Sequence, residues 1–188
     1  QLDAIDWSVL EQIERKETVN ERGVFAPLEA VETEEIERRR DEFRELGIKA
    51  IREGKVGAVL LAGGQGTRLG LDRPKGTLNI GIRRELFLFQ QLIRNLMDVT
   101  DEAGAYVPLY IMTSNINHDD TQAFFEEHGY FGYPKEYVKF FVQEMEPACD
   151  YQGRVYMESR TRVAMSPNGN GGWFGSMVNA GLLSDIRS

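Results

Sequence analysis

The chain has a single cysteine, Cys149, among 188 residues. No internal disulfide can form, the stapled framework of a small secreted fold is excluded, and reduced, cytoplasmic residence is the expectation. Neither of the two histidines, His118 and His128, stands near Cys149 in a nucleophile motif, so a small, partly buried thiol is expected there. No apolar run is long enough to span a bilayer and no signal peptide is visible, which leaves no membrane partner to expect. Positive charge is also scarce: 22 Lys and Arg stand against 30 Asp and Glu, a net charge of -8. A protein that tracks a nucleic-acid backbone carries a basic face; this one is not expected to bind nucleic acid, and any phosphate site must be local. With 41% hydrophobic and 28% charged residues the chain has ordinary globular composition and enough length for a full core. Gln1 occupies the first position in place of Met, so a processed or trimmed chain is expected. Nothing in the sequence fixes an oligomeric state.

What the chain does have is glycine, concentrated where an apolar run ends. Val56-Gly57-Ala58-Val59-Leu60-Leu61-Ala62 suits a strand buried on both faces of a parallel sheet. Gly63, Gly64 and Gly66 follow at once. Glycines permit positive φ and close approach of a ligand, and successive N–H groups in such a turn converge on an anion. Arg68 and Lys75 then add fixed positive charge. Strand, glycine loop and cations together have the chemistry of a phosphate site. Neither common nucleotide motif fits, however. The stretch Gly64-Gln65-Gly66-Thr67-Arg68-Leu69-Gly70 is one residue too long for the dinucleotide fingerprint, and the lysine of a P-loop should follow its last glycine directly, whereas Lys75 stands behind Pro74. The alternative is a structural turn with two solvated cations.

Residues 1–55 read as a peripheral helical segment without catalytic residues. Ser8-Val9-Leu10-Glu11 fits a capping box beside an apolar stripe of Trp7, Leu10 and Ile13. Thr33 can cap a longer helix with Ile36, Phe43, Leu46 and Ala50 at helical spacing, ending at Gly54. Glu34 with Arg38 and Glu35 with Arg39 are spaced for ion pairs on its solvated face. Beyond residue 55 the pattern alternates. Apolar positions from Leu86 to Met97 mark a helix over 85–99, residues 107–113 a second buried strand, Asn117 or Asp119 the cap of a helix carrying Phe124 and Phe125, and residues 138–143 a third strand. This alternation predicts an α/β, doubly wound, Rossmann-like sheet over 56–188. Ligands of such sheets bind outside the carboxyl ends of the strands, where the Gly63 loop and Gln143 both fall. A second glycine loop, Ser166-Pro167-Asn168-Gly169-Asn170-Gly171-Gly172, opens a helix over 173–183, whose N-terminus favours an acceptor or a negative group.

In chain order, Leu61-Ala62-Gly63-Gly64-Gln65-Gly66-Thr67-Arg68-Leu69-Gly70, Pro74-Lys75-Gly76, Tyr110-Ile111-Met112-Thr113-Ser114, Phe140-Phe141-Val142-Gln143 and Pro167-Asn168-Gly169-Asn170-Gly171-Gly172 resemble the signature of the UDP-sugar pyrophosphorylase family. The loop Ala-Gly-Gly-Gln-Gly-Thr is similar to the UDP-N-acetylhexosamine branch, where glucose-specific relatives carry Asn-Gly-Gly-Leu-Gly-Thr. The resemblance implies a GT-A-like nucleotidyltransferase sheet, with 56–188 as the N-terminal part of the catalytic domain. It implies uridylyl transfer from UTP to a sugar 1-phosphate, most closely N-acetylglucosamine 1-phosphate, giving a UDP-sugar and pyrophosphate. Leu61, Ala62, Gly63 and Gly64 would supply backbone to uridine and its phosphates, Arg68 would stabilise the departing β,γ-phosphates, and Lys75 would hold the α-phosphate. Loss of such a contact costs ~2.7–4 kcal/mol of transition-state stabilisation. Gln143 would read the uracil edge, Gly169 would add backbone selection, and Asn170 would face the sugar.

Two features depart from the pattern. Glu144 stands where the family usually has a small residue, and an acid there would repel phosphate unless it points away. The family also runs to roughly twice this length. The resemblance therefore places the aspartate that binds the implied Mg²⁺, a further phosphate-contacting lysine and most of the sugar pocket beyond Ser188. No metal ligand is assigned in this chain, and the 188 residues alone are expected to be incomplete for turnover. Two other readings stay open: transfer to glucose 1-phosphate or to several sugars, and a noncatalytic module that binds uridine nucleotides.

Overall fold

The computed structural model describes residues 28–65, 70 and 72–187; the capping box at Ser8, the Trp7 stripe and the stretch 66–69 with Arg68 lie outside the described residues. In chain order the elements are α1 (Thr33–Arg38), α2 (Arg40–Arg52), β1 (Ala58–Leu61), α3 (Leu88–Ala103), β2 (Leu109–Thr113), α4 (His118–Glu127), β3 (Val138–Val142), β4 (Met145–Pro147), β5 (Met157–Ser159), β6 (Arg162–Val163), β7 (Met165–Pro167), α5 (Trp173–Asn179) and α6 (Leu183–Arg187), with short 3-10 turns between some of them. They fall into two compact units, one made of the residues up to Arg38 with Met145–Asn168, the other of Arg39–Glu144 with Gly169 onward.

The second unit carries the expected parallel sheet, ordered β1-β2-β3, with Leu61 opposite Met112 and Thr113 opposite Val142. Every residue of β2 is buried, as a continuous apolar run flanked by strands on both edges requires. Side chains alternate between the two faces. On one face Ala58, Leu60, Leu109, Ile111, Val138 and Phe140 pack against Phe89 and Ile93 of α3 and Phe124 and Phe125 of α4. Phe125 is fully buried, its ring 5.0 Å from Phe89 and 5.5 Å edge-on from Phe140. Burial of such a ring contributes ~1.5–3 kcal/mol. On the other face Tyr110, Met112 and Phe141 are covered by Trp173 and Met177 of α5 and by Leu182.

Several boundaries differ from the sequence pattern. The run at 56–62 is not buried on both faces: Val59 and Leu61 are 37% and 40% exposed, because the α5 cluster covers β2 and β3 and stops there. The single helix expected over 33–54 breaks at Arg39, which has φ -109° and ψ 21°, pairs forward with Glu42 at 2.7 Å and stacks over the Phe43 ring. Ile36 and Leu46 of the expected stripe are exposed; α2 is anchored instead by Ile48 and Ile51 against Ala103 and Val107. α3 starts later than expected because Asn79 bridges Phe87 and its Oδ1 accepts the N–H groups of Gly81 and Leu86. The last helix ends at Asn179 and restarts at Leu183.

In the first unit β4 pairs antiparallel with β7 and β5 with β6. Asp150 closes the turn between them by accepting the Gln152 and Arg154 N–H groups, and the backbone bond from Arg154, foremost, holds its carboxyl below the usual range. Cys149 is partly buried and free. Among the described residues no helix is long and apolar enough to cross a membrane.

Candidate functional site

The site is set by what happens one residue past the strands. Just after β1, the Ala62 N–H donates to Met112 O at 2.7 Å; just after β3, the Gln143 N–H donates to Thr113 O at 2.8 Å. Consecutive carbonyls at the end of β2 thus hold both ends. β1 and β3 are two strand spacings apart, about 10 Å, yet the Gln143 side chain crosses the end of β2 and lies on the glycine loop. A Cβ placed on Gly63 would be 2.9 Å from Gln143 Nε2 and 3.0 Å from Oε1. Of the two reasons for glycine that the sequence offered, positive φ and close approach, close approach holds at Gly63, and here it is the Gln143 side chain that approaches; neither Gly63 nor Gly64 has left-handed backbone. Gln143 is 7% exposed, and among the described residues its side-chain amide makes no hydrogen bond. It offers a donor and an acceptor side by side.

The loop is braced from behind by Asn117. This residue, expected to cap α4, makes no side-chain capping bond. Fully buried, it accepts the Ser114 N–H through Oδ1 at 2.8 Å and donates through Nδ2 to Ala62 O at 3.0 Å and Gly64 O at 3.4 Å. In a trans peptide the N–H lies opposite the carbonyl, so the N–H groups of Gly63 and Gln65 point away from Asn117. Sequence pattern does not separate an Asn that caps a helix from one that braces a loop, because both stand directly before the first helical turn.

Lys75 closes the same loop. Gln65 bridges Pro74, and the Lys75 N–H donates to Gly64 O at 3.4 Å. Pro74 is buried, and Gly76 lies so near Phe89 that a Cβ would be 2.1 Å from its ring. Lys75 between them is exposed and makes no ion pair among the described residues. Pro-Lys-Gly thus works as an anchor, a free cation and a close contact. Leu61 ends β1 beside the loop, and Ala62 and Gly64 contribute the braced backbone.

The second glycine loop joins through α5. Gly169 has φ 76° and ψ -171°, a region open essentially to glycine alone, and Asn170 begins an exposed 3-10 turn. The Glu144 N–H donates to Ser176 Oγ at 3.0 Å, and Ser176 Oγ–H donates to Gly172 O at 3.0 Å. The Glu144 carboxylate accepts from the Asn179 side-chain amide, so the acid turns onto α5. The structure therefore brings Gly63, Gly64, Lys75 and Gln143 together directly and attaches Gly169 and Asn170 through Ser176. Among the described residues no group of three or more His, Cys, Asp or Glu side chains could hold a metal ion.

Comparison with known proteins places the chain among described relatives. A family model described as UTP–glucose-1-phosphate uridylyltransferase matches residues 2–188. UDP-N-acetylglucosamine diphosphorylase 2 of Arabidopsis thaliana is 40% identical over 160 residues, 79% of this chain and 32% of the relative. UDP-N-acetylglucosamine pyrophosphorylase of Saccharomyces cerevisiae is 40% identical over 154 residues, with the same coverage, 79% and 32%. The crystal structure of the uridine diphosphate N-acetylglucosamine pyrophosphorylase of Trypanosoma brucei with an inhibitor superposes with a TM-score of 0.65 at 36% identity, over 78% of this chain and 30% of that one. The chain thus spans about a third of the length of the curated relatives it matches, a smaller share than the half expected from sequence.

Proposed function

The chain belongs to the family described as UTP–glucose-1-phosphate uridylyltransferase, and on that premise we propose that it is the nucleotide-binding part of an enzyme that transfers UMP from UTP to N-acetylglucosamine 1-phosphate. An oxygen of the sugar phosphate attacks the α-phosphorus in line; the new P–O bond forms as the bond to the β-phosphate breaks, and pyrophosphate leaves. Protein catalysis of such a step is positioning and charge stabilisation. Gln143 reads the uracil edge, Leu61, Ala62, Gly63 and Gly64 line uridine and its phosphates with backbone, and Lys75 holds the α-phosphate. Arg68 stabilises the departing pyrophosphate, Gly169 adds backbone selection, and Asn170 faces the sugar. Residues 56–188 form the N-terminal part of the catalytic domain, and 1–55 precede it. The family resemblance implies Mg²⁺ for the transfer, and the described residues provide no three-ligand cluster to hold it.

The observation that carries this reading is the Gln143 amide, 7% exposed and laid across Gly63 with its donor and acceptor open. The choice of N-acetylglucosamine over glucose is supported by the names of the relatives at 40% identity. Pyrophosphate release by the full-length protein that carries this chain, with N-acetylglucosamine 1-phosphate, N-acetylgalactosamine 1-phosphate and glucose 1-phosphate, tests it. A preference for the acetylated sugars is expected. Equal rates on all three would remove the hexosamine assignment, and a full-length protein that binds UTP without releasing pyrophosphate would be a noncatalytic binding module.

A further inference from the structure

Glu144 is the residue that departs from the family pattern, and its surroundings give it a job. It follows Gln143 directly, and both of its polar ends are spent on α5. The backbone N–H goes to Ser176 Oγ at 3.0 Å, and the carboxylate accepts from the Asn179 side-chain amide. Ser176, 3% exposed, in turn donates its hydroxyl hydrogen bond to Gly172 O at 3.0 Å, which ties the bond at Glu144 to the second glycine loop. The helix leaves room for this: a Cβ on Gly175 would already be 3.7 Å from Glu144 Oε2, so a longer side chain at 175 would compete for the space the carboxylate occupies. Two bonds one turn apart on α5 fix both the rotation and the height of that helix against the end of β3.

We propose that Glu144 is a positioning residue for uridine recognition, a latch on Asn179 that holds α5 and the Gly169–Gly172 loop in register with Gln143. The proposal rests on the nucleotide reading above. If Gln143 reads one side of the base and the Gly169 backbone limits the other, the spacing between them decides which bases fit. That spacing is set by α5, which Glu144 holds at Ser176 and Asn179. The acid therefore acts through geometry. Its charge is directed at the Asn179 amide.

The full-length protein that carries this chain is tested as wild type, Glu144→Ala, Glu144→Gln, Asn179→Ala and the double alanine variant, by steady-state kinetics with UTP and CTP and by hydrogen exchange over residues 169–179. Glu144→Ala is expected to raise KM for UTP about tenfold, the effect of one charge-assisted hydrogen bond, and to narrow UTP-over-CTP discrimination, with a smaller change in kcat and in KM for the sugar phosphate. Asn179→Ala should reproduce it, the double variant should add little, and Glu144→Gln, which keeps an acceptor for Asn179, should restore most of the selectivity. Exchange over 169–179 should quicken in both alanine variants and not in Glu144→Gln. Unchanged selectivity and unchanged exchange in Glu144→Ala overturn the latch, as does an equal loss in every kinetic parameter, which marks general destabilisation. If wild-type chain shows no preference for UTP, the uridine reading falls and the positioning role with it. Faster exchange in the alanine variants would then mark a purely structural brace.

Discussion

Replacing Gly63 with alanine separates the two roles that glycine plays in such a loop. The backbone at Gly63 lies outside the left-handed region, so alanine adopts it without strain, and restricting the unfolded chain stabilises by ~0.4–1 kcal/mol. Against this stands the new methyl, 2.9 Å from Gln143 Nε2 and 3.0 Å from Cδ and Oε1. The flexible end of Gln143 must move, in a setting where that residue is only 7% exposed; modest overpacking of this kind costs ~1–3 kcal/mol. Net stability is expected to change by no more than ~2 kcal/mol. Function is expected to change more. On the proposed reading, displacing the amide would forfeit two base contacts at ~0.5–1.5 kcal/mol each, together ~5–150-fold in kcat/KM for UTP at 1.4 kcal/mol per decade. Kinetics of the full-length protein with UTP and CTP, alongside thermal melts of Gly63→Ala, Gln143→Ala and the double variant, measure this. Since both single changes remove the same amide from the base, their effects should be far from additive. Wild-type UTP selectivity in Gly63→Ala, or additive losses in the double variant, would refute the contact as the source of recognition.

Lys75→Ala should lower kcat ~100-fold or more while leaving the melting temperature in place, because the side chain is exposed and surface changes usually stay within ~0.5 kcal/mol; a wild-type rate would remove Lys75 from the mechanism. Gly169→Ala forces a methyl into backbone at φ 76° and should cost ~1–3 kcal/mol by chemical denaturation; an unchanged midpoint would show that the loop relaxes freely. Tyr133 donates to Val107 O at 2.6 Å and accepts the Val107 N–H at 3.1 Å. Tyr133→Phe should cost ~1–3 kcal/mol for each group left unpaired. Burial pushes the Tyr133 hydroxyl up, so the folded state keeps its proton where the unfolded chain loses it, near pH 10. Stability from this group is complete below that pH and declines above it. The alkaline decline should be shallower in Tyr133→Phe, and an identical slope would place the titration elsewhere.

The parallel sheet was legible because long apolar runs and glycine breaks are local signals. Strands expected at 107–113 and 138–143 appear at Leu109–Thr113 and Val138–Val142. What stayed illegible depends on long-range contact. The break at Arg39 follows from an arginine that finds Glu42 and the Phe43 ring, a choice among similar charges that periodicity does not make. Exposure of Val59 and Leu61 depends on how far α5 reaches across the sheet. At the site, motif order pointed to Gly63, Gly64, Lys75 and Gln143, and these converge. The same order gave no hint of Asn117, whose partners lie more than 50 residues earlier in the chain, at separations of 55 and 53.

The irregular spacing that ruled out both common nucleotide motifs now has a physical account. A P-loop places its lysine at the start of a helix that follows the last glycine. Here the loop leaves β1, has the carbonyls of Ala62 and Gly64 held by Asn117, bridges Gln65 to Pro74, and returns the Lys75 N–H to that same Gly64 carbonyl. Two donors on one carbonyl bring the lysine back to the loop's beginning, so the separation in sequence between Gly64 and Lys75 is not a separation in space. Pro74 and Gly76 are then required by packing, one buried and the other pressed against Phe89. Lysine is the residue of the three that packing leaves free to meet a phosphate.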